Sequence, residues 1–163
     1  MKKIDISTKK HPNTFALVSD ELEYVLNKWK WQCSKDGYAV RGTRARGKYK
    51  NVFMHQVVAY IKFGYIPDGY TPDHKNGNRL DNTWSNIRLA TPTQNAQNKR
   101  GSKDSTSRFK GVSFKKERNK WHAGIRVNGK SKHLGYRDTE EECAALYDKA
   151  AKENFGEFAR LNF

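Results

Sequence analysis

An aspartate and a histidine stand side by side at Asp73-His74, and amides follow at Asn86 and Asn95. The carboxylate of Asp73 and the amide oxygen of Asn95 are hard donors, which suit Mg2+ or Mn2+ better than zinc. Two protein ligands leave positions for water and phosphate oxygens. His74, neutral near pH 7, is placed in sequence to act as general base toward a water molecule. These groups together form a set for hydrolysing a phosphodiester, in which the metal neutralises charge on the phosphate and the leaving oxygen. The set carries a geometric demand. Neighbours on a regular strand face opposite ways. Asp73 and His74 therefore meet one phosphate only where the strand ends or bends, as Pro72 and an Asn76-Gly77 turn predict.

The elements around this block follow from local pattern. Ile87–Ala90 reads as a strand, and Thr91-Pro92-Thr93-Gln94 as a capping box with Pro92 at the first helical position. Asn95 then falls in the first turn of a helix. The unit is strand, long hairpin connection, strand, helix. Upstream, Phe15–Val18, Trp29–Cys33 and Tyr38–Arg41 read as strands, with Asp36-Gly37 as a turn. Asn51–His55 continues as a strand, and Val57, Val58 and Ile61 repeat at helical spacing until Gly64. The stretch 97–107 is polar, without apolar anchors, and reads as a linker. Beyond it, Phe109–Phe114, Lys120–Val127 and Lys132–Tyr136 are strand candidates, the last two joined by Asn128-Gly129. Thr139 with Glu142 forms a second capping box, and Cys143, Leu146, Tyr147, Ala150 and Ala151 give one apolar helical face.

The chain has 163 residues, 36% hydrophobic, with a net charge of +15. Mean hydropathy is −0.99 and the isoelectric point is about 9.9. These values favour small modules with modest cores. They also favour a polyanionic partner, because aromatic residues (12%) are interleaved with the basic ones. Charge is polarised in the last third. Residues 101–137 hold 11 basic and 2 acidic side chains, whereas 138–163 hold 3 and 7. A basic sheet over an acidic helix is a layout for contacting nucleic acid. No run of 18 apolar residues suggests a membrane span, and Met1–Ile6 does not read as a signal peptide. Cys33 and Cys143 are too few and too far apart for a cysteine zinc site or a disulfide framework, which fits a reducing compartment.

The residues His55-Gln-Val-Val58, Pro72-Asp73-His74-Lys-Asn-Gly-Asn-Arg-Leu-Asp-Asn82, Ser85-Asn86-Ile-Arg88 and Gln94-Asn95-Ala-Gln-Asn98 resemble the HNH homing endonucleases of phages. The resemblance implies that His74 is the catalytic base, that Asp73 and Asn95 bind metal, and that Asn86 braces the hairpin through side-chain hydrogen bonds. Many HNH enzymes end this motif with histidine. Asn95 is the variant of the phage nicking subgroup, which implies an all-oxygen site. Residues 107–163 resemble the plant Apetala-type (ethylene-response-factor) DNA-binding domain. That resemblance is carried by Phe109-Lys-Gly-Val112, Trp121-His-Ala-Gly-Ile-Arg126, Leu134-Gly135, Asp138–Glu142, Ala145–Ala151 and Leu161-Asn-Phe163. It implies a sheet that enters the major groove. Lys110, Lys115, Lys120, Trp121, Arg126 and Lys132 are then the expected DNA contacts. Ser113 and His133 replace the usual Arg and Trp, so base preference does not transfer.

The expected fold class is α+β. It comprises a β-rich region 1–50 packing on the nuclease, a ββα-metal (HNH) module 51–100, a linker 101–106, and at 107–163 a three-stranded antiparallel sheet packed on one helix. Arg44 and Arg46 lie in a basic loop or hairpin tip that reads equally as solvated or phosphate-contacting. His55 is either an accessory residue of the site or a capping residue of its helix; the accessory role is preferred. Asp81 and Asn82 read as turn residues, and Trp29 and Trp31 as core. The expected function is site-specific, metal-dependent nicking of double-stranded DNA by a monomer. The setting is the cytoplasm of a bacterial host, with no membrane and no small-molecule cofactor. The alternatives are a DNA-binding regulator with an inactive nuclease module, and an RNA-processing nuclease.

Overall fold

The structure, a computed structural model, describes residues 1–45, 47–101 and 105–163. Arg46 and the central part of the expected linker (102–104) lie outside the described residues. The chain divides into two compact units, Met1–Pro92 and Thr93–Phe163. Both are mixed α+β.

In the first unit β1 (Lys2–Asp5) and β2 (Phe15–Val18) pair antiparallel. Helix α1 (Asp20–Leu26) follows, then β3 (Gln32–Cys33), β4 (Ala39–Ala45), β5 (Lys48–Phe53) and helix α2 (Met54–Phe63). Next come β6 (Thr71–His74), β7 (Asp81–Asn82) and β8 (Ile87–Ala90). Strands β3, β4 and β5 form one antiparallel sheet, and β6 pairs with β8. The short β7 lies parallel to β2, with Leu17 opposite Asp81 and Val18 opposite Asn82. One core joins these pieces: Ile6, Val18, Leu22, Leu26, Met54, Val58 and Ile87 are all buried.

Several local expectations change. Of the strand expected over 29–33, only Gln32 and Cys33 are extended. Residues 20–26 are helical, with Leu22 and Leu26 one turn apart in the core. The Ser19 hydroxyl makes no cap bond there and instead accepts from the Trp84 amide at 2.9 Å. The strand expected over 51–55 ends at Phe53, because Met54 and His55 already belong to α2.

Helix α3 (Pro92–Asn98) begins at the boundary between the units. In the second unit β9 (Val112–Lys115), β10 (Lys120–Val127) and β11 (Lys130–Arg137) form an antiparallel sheet with β10 in the centre. Asn128 and Gly129 both take positive φ (49° and 77°) in the tight β10–β11 turn. Helix α4 (Glu140–Phe155) carries the Thr139–Glu142 capping box and packs on the sheet through Cys143, Ala144, Tyr147 and Ala151. The stretch read as linker is structured at its end. Ser105 donates to the Val112 carbonyl, and buried Ser107 donates to Glu140 Oε1 at 2.5 Å. Hydroxyls, rather than apolar groups, anchor this segment.

Candidate active site

The hairpin β6–β8 holds the Asp73-His74 pair. Its register sets Asp73 opposite Arg88 and His74 opposite Ile87. Asp73 therefore shares a face with Arg88, and His74 shares the other with the fully buried Ile87. Arg88 Nε and one terminal guanidinium nitrogen both lie 3.0 Å from Asp73 Oδ2. Both side chains are largely buried, at 8% and 13% exposure. Strand β6 ends at His74, whose carbonyl accepts from the Gly77 amide at 2.8 Å.

His74 is buried, and its Nε2 lies 3.3 Å from Asn82 Oδ1. Asn82 donates its own Nδ2 to the Leu80 carbonyl at 3.2 Å, which turns Oδ1 toward the imidazole. In the neutral ring Nε2 then carries the hydrogen and Nδ1 the lone pair. Burial depresses the His74 pKa below its ordinary value, against the Asn82 bond and the Asp73 charge, which raise it. The ring is thus neutral at pH 7.

His55 stands beside it, with ring centroids 5.0 Å apart, and Tyr38 and Phe53 pack on His55 at 5.4 and 5.5 Å. Burial, and then the neighbouring His74, push the His55 pKa down to about 3. Its Nδ1 is buried without a hydrogen-bond partner among the described residues. Arg79 lies over the Tyr38 ring at 4.7 Å and donates to the Asp36 carbonyl.

The connection between the strands is held by side chains. Asn86 Oδ1 accepts from the Asn76 amide at 3.0 Å, and its Nδ2 donates to the Asp81 carbonyl at 2.7 Å. Asp81 receives the Thr83 hydroxyl at 2.7 Å and Asn76 Nδ2 at 2.8 Å. Lys62 of α2 donates to the Trp84 and Ile87 carbonyls at 2.7 and 2.8 Å.

Asn95 lies in α3 and belongs to the second unit, whereas Asp73 and His74 belong to the first. No group of three or more His, Cys, Asp or Glu is arranged for a metal among the described residues. The donor chemistry of Asp73 and Asn95, a carboxylate and an amide oxygen, fits a hard divalent ion.

The residues expected to contact DNA fall in several places. Arg44 is exposed on β4, opposite Tyr49 of β5; Arg46 lies outside the described residues. Lys115 and Lys120 are cross-strand neighbours on β9 and β10, and Arg126 is exposed on β10. Lys120 pairs with Asp138 at 2.7 Å. Lys132 is exposed on β11. Trp121 differs from expectation. It shares the alternation of Ala123 and Ile125, packs with Phe114 at 5.2 Å, and faces the helix layer. Lys110 also differs. It precedes β9, is half-buried, and donates its amine to the Gln97 carbonyl. The open sheet face carries His122, His133 and Tyr136 instead, with the two imidazoles stacked at 4.9 Å and 12°.

Sequence reasoning missed Asn82 as the partner of His74 and Arg88 as the partner of Asp73. The hairpin register and the β2–β7 pairing reveal them. A sequence signal existed for Arg88, which stands two residues after Asn86 on the strand expected to pair with Asp73.

The sequence profile of the HNH endonuclease family matches residues 52–97. An uncharacterised HNH endonuclease of Acanthamoeba polyphaga mimivirus is 39% identical over 150 residues, covering 91% of this chain and 75% of that protein. The chain belongs to the HNH endonuclease family. Protein 3.8 of Escherichia phage T7 is 38% identical to this HNH endonuclease over 113 residues, covering 69% of this chain and 93% of that one. DNA endonuclease I-HmuI of Bacillus phage SP01 is 36% identical over 69 residues, covering 42% of this chain and 40% of its own length. A solved structure of DNA binding and cleavage by that homing endonuclease spans the same shares, with a TM-score of 0.36. Among the described residues, no helix of this HNH endonuclease is long and apolar enough to cross a membrane.

Proposed function

We propose that this HNH endonuclease hydrolyses a phosphodiester of double-stranded DNA with His74 as general base. The observation that carries the reading is the Asn82–His74 contact in the buried end of β6. It favours the tautomer with the hydrogen on Nε2 and the lone pair on Nδ1, and burial favours the neutral ring, the state a base needs at pH 7. His74 Nδ1 takes a proton from the attacking water, Asn82 holds the ring, and His55 packs against it and excludes solvent. Asn86 braces the turn that follows His74.

Asp73 and Asn95 are the residues that would hold Mg2+ or Mn2+. A bound ion would supply charge neutralisation at the phosphate and the leaving oxygen. The Arg88 guanidinium beside Asp73 adds a fixed positive charge on that face of the hairpin. One Asp73-His74 set per chain favours a nick in one strand.

The second unit supports a DNA-reading role of the ethylene-response-factor type. Its open face carries Lys115, Lys120 and Arg126, and its acidic helix lies behind. The test is relaxation of supercoiled plasmid. Conversion to open circles with Mg2+ or Mn2+, lost in EDTA and in His74→Ala, is the expected result. Undiminished cleavage in either case overturns the mechanism. Specific binding with no cutting under any divalent ion supports the regulator reading instead.

A further inference from the structure

The second unit contains a cavity of about 240 Å3 between the segment leading into β9 and the C-terminal tail. Arg100, Arg108, Lys110 and Arg160 line it, with Phe109 and Asn162, and none of the described lining residues is acidic. Four cationic side chains facing one space of this size give it a positive potential that favours an anion.

The walls are already built. Asn162 Oδ1 accepts from the Lys110 amide at 2.8 Å, and its Nδ2 donates to the Lys110 carbonyl at 3.2 Å. Asp148 of α4 is occupied by the Asn162 and Phe163 amides at 2.8 to 3.0 Å, so its charge holds the tail. Phe109 packs on Phe163 at 5.4 Å. Arg108 is paired with Glu141 at 3.0 Å, an exposed contact. Burial, and then the nearby Arg160, push the Lys110 amine down to about 8. Lys110 spends one of its three donors on the Gln97 carbonyl. Guanidinium forks match phosphate oxygens in geometry as well as charge. The strand residues Lys115, Lys120 and Arg126 take no part in this lining.

We propose that this cavity is a phosphate-binding site built from the second unit alone, taking a DNA backbone phosphate or a free phosphate group. The site is independent of cleavage at Asp73-His74.

The test is an amide NMR titration of the full chain with inorganic phosphate at constant ionic strength, with chloride as control. Saturable shifts at Arg100, Gly101, Lys110 and Asn162 are expected. The double variant Arg100→Gln, Arg160→Gln should weaken the apparent affinity at least tenfold. Arg100→Gln alone, an exposed position, serves if the double variant is poorly folded, and should weaken it to a lesser degree. The absence of saturable shifts, equal shifts with chloride, or unchanged affinity in the variants overturns the proposal. The salt dependence of duplex binding then identifies the source. A slope reduced by about one to two in the double variant assigns the site to backbone phosphate. An unchanged slope with lost phosphate shifts assigns it to a free phosphate.

Discussion

Arg88 reaches across the β6–β8 hairpin and places two guanidinium nitrogens 3.0 Å from one oxygen of Asp73. The pair lies in a largely buried setting, so each charge depends on the other. Removing one partner of such a pair costs about 3–5 kcal/mol, because the remaining charge stays desolvated. Arg88→Gln should therefore lower stability by that amount in urea unfolding. Mg2+ should stabilise the variant more than the parent, since a cation at Asp73 replaces the lost guanidinium. Equal stabilisation of both proteins by Mg2+ would argue against Asp73 as a ligand.

Asn82 sets the tautomer of His74. Asn82→Leu keeps the volume but removes the acceptor. Turnover should fall about 10- to 100-fold, the range typical of outer-shell partners, while duplex affinity is unchanged. Asn82→Asp restores an acceptor and adds a negative charge, so activity should recover and its acid limb should move to higher pH. A single-turnover pH series on the three proteins measures this.

His55 titrates near 3 in the folded chain, against an ordinary value of 6.5. Between these values the unfolded state binds a proton that the folded state does not. Stability is thus complete above about pH 6.5 and falls as pH drops toward 3, by up to about 1.4 kcal/mol per pH unit. The depressed pKa of His74 acts with the same sign. Urea unfolding at pH 7, 6 and 5 should show the loss, and His55→Leu should flatten it.

On the second unit, charge and packing separate cleanly. Lys115→Ala with Arg126→Ala should weaken duplex binding and lower its salt slope by about two, with no change in unfolding. Trp121→Ala should act the other way. It removes a half-buried ring from beside Val112, Phe114 and Ala123 and costs about 2–3 kcal/mol, less than a fully buried ring would. Gel-shift assays across a salt series, read beside thermal melts, distinguish the two effects.

Much of the architecture is written locally. The Asn128-Gly129 turn, the Thr139–Glu142 box and the β8 and α3 boundaries each rest on a few adjacent residues. Helix α1 was hidden because its Ser19 start signal is used elsewhere, on Trp84. The resemblance of residues 107–163 to a DNA-binding domain assigns Trp121 a DNA contact, whereas its period-2 partners Ala123 and Ile125 set it on the face toward α4. The partners of His74 and Asp73 depend on strand register, which no single segment specifies. Asn82 is set by a parallel pairing with Val18, far away in sequence.

That pairing bears on how such a gene is cut and joined. The floor beneath His74 is laid by the first eighteen residues, through Leu17–Asp81 and Val18–Asn82. A fragment starting at residue 51 carries every residue of the motif yet lacks the strand that seats Asn82. Recombination that transplants the nuclease intact must therefore carry the whole of Met1–Pro92 together with α3 and its Asn95, which makes the inheritable piece about twice as long as its recognisable signature.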